Sequence, residues 1–185
     1  MSFPYERYTS SASAERLVFC GAKNSTDYYA IHLNNNDYLV HVEAEGLGRD
    51  VLKVNSVCWL EVGVGFGNLQ PGSYHVDWRL KFDGYHNPET INCSVKIGRN
   101  DGSSTPWVNE VLTVPPEEEQ GVWLTCRRQT PVVVGENDAI IHVQFWSESP
   151  HWMTGLHFDY CELATASEES PLEQAEGTAA ESLKN

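Results

Sequence analysis

The sequence predicts an all-β domain, and three observations support this fold class. Short apolar runs recur at roughly ten-residue spacing, turn-forming residues separate them, and some runs alternate between apolar and polar side chains. Within residues 73–81 the apolar side chains occupy every second position: Tyr74, Val76, Trp78 and Leu80. Residues 141–145 alternate in the same way. A period of two is typical of a half-buried antiparallel strand, and many such strands predict a β-sandwich or a β-barrel.

The predicted strands follow one another in chain order and are delimited by turn chemistry. The first three lie at residues 16–20, 28–33 and 38–42, and the fourth lies at 58–64. Pro71-Gly72 precedes a strand at 73–81, Asn87-Pro88 precedes 90–96, and Asn100-Asp101-Gly102 precedes 108–114. Pro115-Pro116 precedes 122–126, a polar turn at 135–138 precedes 139–145, and the last strand covers 155–163. Only residues 40–54 leave room for a helical turn, because Glu43, Ala44 and Glu45 precede Gly46.

The charge of the chain argues against two classes of partner. Twelve basic residues against twenty-six acidic ones give a net charge of −14 over 185 residues. Binding to nucleic acid or to anionic lipid needs clustered Lys and Arg, so neither partner is expected. Residues 164–185 hold five glutamates and one lysine, a charge of −4, and no aromatic residue. We expect this acidic tail to be disordered, which leaves −10 for the folded part and makes the acidity a matter of solubility.

Neither a membrane span nor a disulfide framework is predicted. No apolar run approaches the ~20 residues that cross a bilayer, and the N-terminus has no apolar core behind a basic start. We therefore expect an intracellular chain, in which the glycosylation patterns at Asn24 and Asn92 are chance matches. The five cysteines are odd in number, widely spaced and without a CxxC pair, which favours reduced thiols. Four lie in apolar runs and are expected to be small buried side chains: Cys20, Cys58, Cys126 and Cys161.

Motifs of enzymes and of cofactor sites are weak or missing. Gly63-Val-Gly-Phe-Gly67 resembles part of a dinucleotide loop but lacks the following helix, so we interpret it as a strand that ends, loops and re-enters. The seven histidines show no HExxH spacing, and His75 and His142 fall on outward positions of predicted strands. No GxSxG elbow occurs, and no pair of carboxylates stands out in so acidic a chain. The sequence therefore predicts a protein that is not an enzyme and that needs no metal or other cofactor.

The tryptophans carry the strongest functional signal. Trp59 and Trp123 each stand before a leucine inside a predicted strand, which predicts core anchors. Trp146 and Trp152 instead flank the polar segment 147–151. An aromatic side chain at a loop rim is either a packing lid or a platform on which a sugar ring stacks.

Five collinear blocks are similar to those of a known family. They are Val57–Val62, Leu69–Tyr74, Gly121–Leu124, Gly135–Ile140 and Trp152–Leu156. In this order and spacing they resemble the phloem protein 2 family of Nictaba-like lectin domains, over residues 16–163. The resemblance implies a jelly-roll β-sandwich of the galactose-binding-domain-like type. It also implies a lectin of the cytoplasm and nucleus that binds N-acetylglucosamine oligomers or N-glycan cores.

The resemblance also divides the chain and nominates a binding site. It implies an N-terminal extension at 1–13, a lectin domain at 14–163 and the acidic tail at 164–185. Two tryptophans are the suspected sugar contacts of the family; the first falls near Cys20 or Gly21, and the second at Tyr28 or Tyr29. The candidate stacking residues are thus Tyr28, Tyr29, Trp146 and Trp152. Their candidate polar partners are Asn24, Asp27 and His151.

The loss of the first tryptophan leaves two functions open. The first is a lectin domain whose partners are glycans or glycoproteins. The second is a protein-interaction module on the same sandwich that has lost sugar binding, and a homodimer is compatible with it. Glycan-array binding favours the first, whereas a partner that stays bound in excess chitooligosaccharide favours the second.

Overall fold

Twelve β-strands make up the regular structure of the part of the chain that the structure describes. The computed structural model describes residues 16–20, 28–30, 37–44, 47, 50–67, 69–83, 91–113 and 120–166, with the backbone alone for 16–20, 28–30 and 149–150. The strands are β1 Arg16–Cys20, β2 Tyr28–Ala30, β3 Leu39–Glu43, β4 Asp50–Val54, β5 Val57–Gly67, β6 Gly72–Phe82, β7 Ile91–Arg99, β8 Val108–Leu112, β9 Trp123–Arg127, β10 Val132–Val134, β11 Asp138–Met153 and β12 Leu156–Thr165. The described residues contain no α-helix.

The strands form two antiparallel sheets. In the seven-stranded sheet β6 and β12 are central, β9 and β10 pair with β6, β1 and β4 pair with β12, and β3 lies beyond β4. The five-stranded sheet has the order β2-β5-β11-β7-β8. Successive strands from β4 to β7, and again β11 and β12, alternate between the two sheets. The fold is a jelly-roll β-sandwich, which confirms the predicted fold class.

The core between the sheets is built from the inward positions of the long strands. Trp78 of β6, Phe145 of β11 and Phe158 of β12 are buried and meet edge to face. The ring centroids of Phe145 and Phe158 lie 4.9 Å apart at 89°, and those of Trp78 and Phe145 lie 5.5 Å apart. Edge-to-face pairs add to the free energy gained by burying the rings, so this cluster joins the two sheets at their centres.

The sequence predicted ten of the strands and missed two. β10 is only Val132–Val134 and pairs with the start of β6. In the predicted helical-turn segment 40–54, the described residues form the strands β3 and β4, which pair from Leu39↔Val54 to Glu43↔Asp50. Burial of Leu39, Leu52 and Val54 against the core holds these two strands in place. Residues 45, 46, 48 and 49 lie outside the described residues, so a turn between the strands stays a prediction. The predicted disordered tail begins too early at 164, because β12 continues through Ala164 and Thr165, which pair with His75 and Tyr74. The predicted extension at 1–13 and tail residues 167–185 lie outside the described residues.

Three side-chain expectations on the strands are wrong, two of them because of the phase of the alternation. Buried Leu60, Val62, Val64 and Phe66 fix the inward face of β5, so Trp59 lies on the other face and is exposed. Cys58 is exposed where the pairing of β5 with β11 is interrupted, between Trp59↔Glu148 and Val57↔Met153. Trp123 is half-buried and pairs with Lys81, away from the core. The glycine-rich stretch does not form a loop, because β5 runs through it to Gly67.

The remaining described cysteines behave as small apolar side chains. Cys161 and Cys93 are buried and Cys126 is half-buried, all as free thiols. Burial raises the pKa of the Cys93 thiol to about 12 and that of Cys126 to about 11. The expectation of burial is thus confirmed for Cys161 and met in part by Cys126, while the side chain of Cys20 lies outside the described residues.

Candidate functional site

The outer surface of the five-stranded sheet carries a patch of neutral polar side chains. On β7, Ile91, Cys93 and Val95 point into the core, so Asn92 and Ser94 occupy outward positions. Trp146 pairs with Asn92, and Gln144 pairs with Ser94, which in turn pairs with Asn109 of β8. We call this set, Asn92, Ser94, Asn109, Gln144 and Trp146, the amide face.

A directed chain of hydrogen bonds holds the amide face together. The Trp146 indole Nε1 donates to Ser94 Oγ at 2.7 Å. Ser94 Oγ donates to Asn109 Oδ1 at 3.0 Å, and Asn109 Nδ2 donates to Asn92 Oδ1 at 2.8 Å. Each group thereby has a fixed donor or acceptor role, and the chain ends on the Asn92 amide, whose Nδ2 donates to no described residue. Asn92 and Ser94 are only 7% and 4% exposed, whereas Asn109 is exposed.

Glycines occupy the outward positions of β5 beside β11. The positions of β5 that pair with Gln144 and His142 are Gly63 and Gly65, which carry no side chain. The backbone of Tyr29 in β2 pairs with Gly63, so a predicted site residue lies two strands from Gln144. Gly63 and Gly65 are nevertheless buried, so this stretch of β5 offers no open surface beside β11.

The electrostatics of this face are mild. Burial, with the charge of Lys96 nearby, lowers the pKa of His142 to about 4, so this imidazole is neutral at pH 7. The Lys96 ammonium lies 4.8 Å from the centroid of the Trp107 ring, a cation–π contact at the margin of the patch. The groups at the centre of the amide face are thus amides, a hydroxyl and an indole, without net charge.

A bulge in β11 displays a second aromatic group at the end of the sheet. Between the pairs Trp59↔Glu148 and Val57↔Met153, β11 has residues 149–152 where β5 has only Cys58. Trp152, in this bulge, is 55% exposed and stacks on Tyr38 with centroids 6.3 Å apart at 11°. We call Trp152 and Tyr38 the tip pair. Trp59, 51% exposed, lies two register pairs beyond Glu61 and Trp146.

The predicted site residues fall in several settings. Trp146 lies on the amide face, whereas Trp152 and His151 are exposed in the bulge of the same strand. Tyr28 and Tyr29 belong to β2 by their backbones, and their side chains lie outside the described residues. Asn24 and Asp27 also lie outside the described residues. Whether the tyrosines join the tryptophans in one site stays a prediction.

Sequence reasoning missed four members of the amide face. Asn92, Ser94, Asn109 and Gln144 are ordinary polar residues in strands, and Asn92 drew notice only as a chance glycosylation pattern. The available signal was the alternation of residues 91–95, which places Asn92 and Ser94 together on one face. Their pairing with Asn109 and Trp146 needed the strand order.

Two other features are absent from the described residues, a metal-binding cluster and a membrane-spanning helix. No three of their His, Cys, Asp and Glu side chains are grouped so as to hold a metal ion. No helix in the described ranges has the length and apolarity to span a membrane.

Comparison with known proteins establishes the fold. No protein-family model matches the sequence, and no curated protein matches it. The CBM22-1–GH10 modules of Clostridium thermocellum xylanase 10B, solved with xylohexaose, are similar with a TM-score of 0.55 and 18% identity. A GH26-CBM35 β-(1,4)-mannanase of Podospora anserina is similar with a TM-score of 0.53 and 9% identity. These matches cover 84% and 86% of this chain but 29% of each of those chains, so the chain spans about three tenths of their length.

Proposed function

We propose that this protein is a carbohydrate-binding module that holds a neutral sugar on its amide face. The observation that carries the proposal is the hydrogen-bond chain from Trp146 through Ser94 and Asn109 to Asn92. Sugar hydroxyls both donate and accept hydrogen bonds, and amide groups with fixed orientation present both kinds of partner without a charge to desolvate. An indole beside them supplies the apolar surface on which a sugar ring packs. Two solved enzyme structures that this chain resembles over 29% of their length contain carbohydrate-binding modules, and one of them was solved with xylohexaose, which supports this class of ligand.

The chemistry of the amide face favours binding over catalysis. A nucleophilic serine needs a neighbouring general base, but the hydroxyl of Ser94 donates to the amide oxygen of Asn109. The hydrogen-bond chain contains no carboxylate that could protonate a glycosidic oxygen. We therefore assign the domain a role in recognition.

The finer proposal concerns the glycan. The resemblance to the phloem protein 2 family favours N-acetylglucosamine oligomers or N-glycan cores, met in the cytoplasm and nucleus. The exposed tip pair, with His151 beside Trp152, supports a ligand longer than one sugar, because it offers a second stacking surface on β11 beyond Trp146. On this proposal Tyr28, Tyr29, Asn24 and Asp27 complete the site from the β2 side.

Calorimetric titration with chitotriose, xylohexaose and mannohexaose tests the proposal. We expect binding of at least one of these, and Asn109→Ala weakens it about tenfold, since it removes two hydrogen-bond partners from the chain. Val111→Ala is the matched control, because Val111 is exposed on the same strand, pairs with Asn92 and makes no polar contact through its side chain. Tightest binding of chitotriose supports the lectin-like specificity. Absence of binding to all three, or equal losses in the two variants, refutes the amide-face site.

A second candidate function is a protein-interaction module, which the edge of the five-stranded sheet favours. β8 ends that sheet, and Val108 and Val111 are 53% and 58% exposed on it. An edge strand with apolar side chains is suited to pairing with another strand, including that of a second copy. Sedimentation equilibrium decides this: a dimer that Val111→Lys dissociates supports it, and a monomer throughout contradicts the homodimer.

A further inference from the structure

The outer surface of the seven-stranded sheet holds a second group of functional side chains, and its charge differs from that of the amide face. Trp123 pairs with Lys81, Lys81 pairs with His157, and His157 pairs with Lys53. These four residues of β9, β6, β12 and β4 form one row across the sheet, which we call the lysine–histidine row. Directly paired side chains on one face have Cβ atoms about 5 Å apart, so the two lysines flank the imidazole.

The imidazole in the middle of the row has an unmet hydrogen bond. His157 is only 9% exposed, and its Nε2 has no hydrogen-bond partner among the described residues. The carboxylate of Asp83 approaches Nε2 to 4.0 Å, which is beyond hydrogen-bonding distance. A buried polar atom without a partner costs free energy, which a ligand that supplies the partner recovers.

The positive charge of the row is only partly neutralised. Lys81 Nζ lies 3.6 Å from Asp83 Oδ2, and Asp83 is exposed. Lys53 forms no ion pair with any other described residue. By contrast, Arg127 makes two hydrogen bonds to Asp77, and Arg79 pairs with Asp159 at 3.2 Å. One surface carboxylate thus stands against two lysines and contacts only Lys81, which leaves a local excess of positive charge in a chain of net charge −14.

The indole at the end of the row is held in place by its neighbours. The Arg79 guanidinium carbon lies 6.0 Å from the Trp123 ring centroid and 5.9 Å from that of Tyr160. Asp159, fully buried, anchors Arg79 in this position. The Trp123 ring meets His157 at right angles with centroids 6.4 Å apart, and it remains half-buried. A partly exposed ring thus stands beside the group of cations.

We propose that the lysine–histidine row is a second carbohydrate site, which binds a pyranose that carries a carboxylate, such as a uronic acid residue of a glycan. The carboxylate lies between Lys53 and Lys81 and accepts a hydrogen bond from His157 Nε2, while the sugar ring packs against Trp123. Both contacts are needed, because the lysines recognise the acid and the indole recognises the ring. This site lies on the sheet opposite the amide face and is independent of the neutral sugar proposed there.

Calorimetric titration with methyl β-D-glucuronide tests the proposal, with methyl β-D-glucoside and sodium acetate as matched probes. The glucoside has the ring without the acid, and acetate has the acid without the ring. We expect the glucuronide to bind at least about tenfold more tightly than either, with a shift of the His157 imidazole signals in NMR spectra. Acetate or inorganic phosphate binding as tightly as the glucuronide shows a site for anions only and overturns the proposal, as does equal binding of the glucoside.

Paired variants locate the site and separate it from the proposed function. Lys53→Gln is expected to weaken glucuronide binding about tenfold or more, because it removes one of two charge-assisted contacts. Lys96→Gln is the control, since this lysine lies on the other sheet over Trp107. Asn109→Ala is expected to leave glucuronide binding unchanged even where it weakens a neutral oligosaccharide. Equal losses in Lys53→Gln and Lys96→Gln, or loss of glucuronide binding in Asn109→Ala, contradict a separate acidic-sugar site.

Discussion

At the scale of single residues, the outward side chains of the two sheets differ in how they meet their hydrogen-bonding needs. Those of the amide face bond one another, so that Trp146, Ser94, Asn109 and Asn92 form one chain of neutral groups. Those of the other sheet form ion pairs, and His157 remains with an unbonded nitrogen between two lysines. The first arrangement presents neutral donors and acceptors, which suit the hydroxyl groups of a sugar. The second presents an unbonded imidazole nitrogen beside two cations, which suits a carboxylate.

Two histidines make the stability of the domain depend on pH. Burial lowers the pKa of both His142 and His157 to about 4, with Lys96 adding to the effect for the first and Lys53 and Lys81 for the second. Because the ordinary value is 6.5, the unfolded chain binds more protons between pH 6.5 and pH 4. Their contribution to stability is complete above pH 6.5 and is lost as the pH falls towards 4.

Urea denaturation between pH 7 and pH 4.5 measures this dependence. We expect the free energy of unfolding to fall over this range, and to fall less steeply in His157→Gln, which has no imidazole to protonate. His151→Gln is the control, because His151 is exposed in the bulge of β11. If the free energy of unfolding falls as steeply with pH in His157→Gln as in the unchanged protein, His157 does not contribute to this pH dependence.

At the scale of elements, the phase of each strand decides whether an aromatic residue stabilises the fold or faces outward. β6 turns Trp78 into the core, where it meets Phe145 and Phe158. β5 turns Leu60 inward and thereby leaves Trp59 exposed, although both strands are long and apolar. The bulge of β11 then resets the register, so that Trp152 leaves the surface of the sheet and stacks on Tyr38.

Two truncations separate these roles. We expect Phe158→Ala to lower the free energy of unfolding by about 3–5 kcal/mol, because it opens a cavity at the centre of the sandwich. Trp59→Ala is expected to change it by less than about 0.5 kcal/mol, because this ring is largely solvated. Chemical denaturation of both variants, followed by circular dichroism, gives the comparison. A large loss in Trp59→Ala would show that the indole packs against part of the domain and is not a surface group.

At the scale of the whole molecule, the sandwich presents two unlike surfaces on opposite sides of one core. The amide face is neutral at its centre, and the lysine–histidine row carries local positive charge in a chain of net charge −14. The jelly-roll fold makes this possible because each sheet is buried on one side and free to vary on the other. One domain can thus carry two sites that share no residue.

Salt is expected to act on the two proposed sites differently. Raising sodium chloride from about 0.05 M to about 0.5 M lowers the Debye length, beyond which charges are largely screened, from about 14 Å to about 4 Å. Binding of methyl β-D-glucuronide is therefore expected to weaken severalfold, whereas binding of a neutral oligosaccharide stays nearly constant. Titration calorimetry at the two salt concentrations checks this, and a salt-independent affinity for the glucuronide would contradict recognition by the lysines.

Much of the fold was predictable because its signal is local. The alternation at residues 73–81 and 141–145 appears as the strands β6 and β11, and the turn residues delimit most of the others. β10 escaped because three residues are too few to show a period, and β4 because its pairing with β3 outweighs local preference. Of the candidate site, Trp146 and Trp152 were visible as rim aromatics, but nothing local distinguished Asn109.

The sequence by itself determined that the chain is an all-β domain, where most of its strands lie and how its charge divides, since spacing and composition are properties of neighbouring residues. Only the tertiary structure decided which polar residues meet. Trp146 bonds Ser94 across 52 positions of sequence, and the row from Trp123 to Lys53 draws on four strands. Such contacts depend on strand order and register, and a shift of one residue would turn each of these side chains to the opposite face.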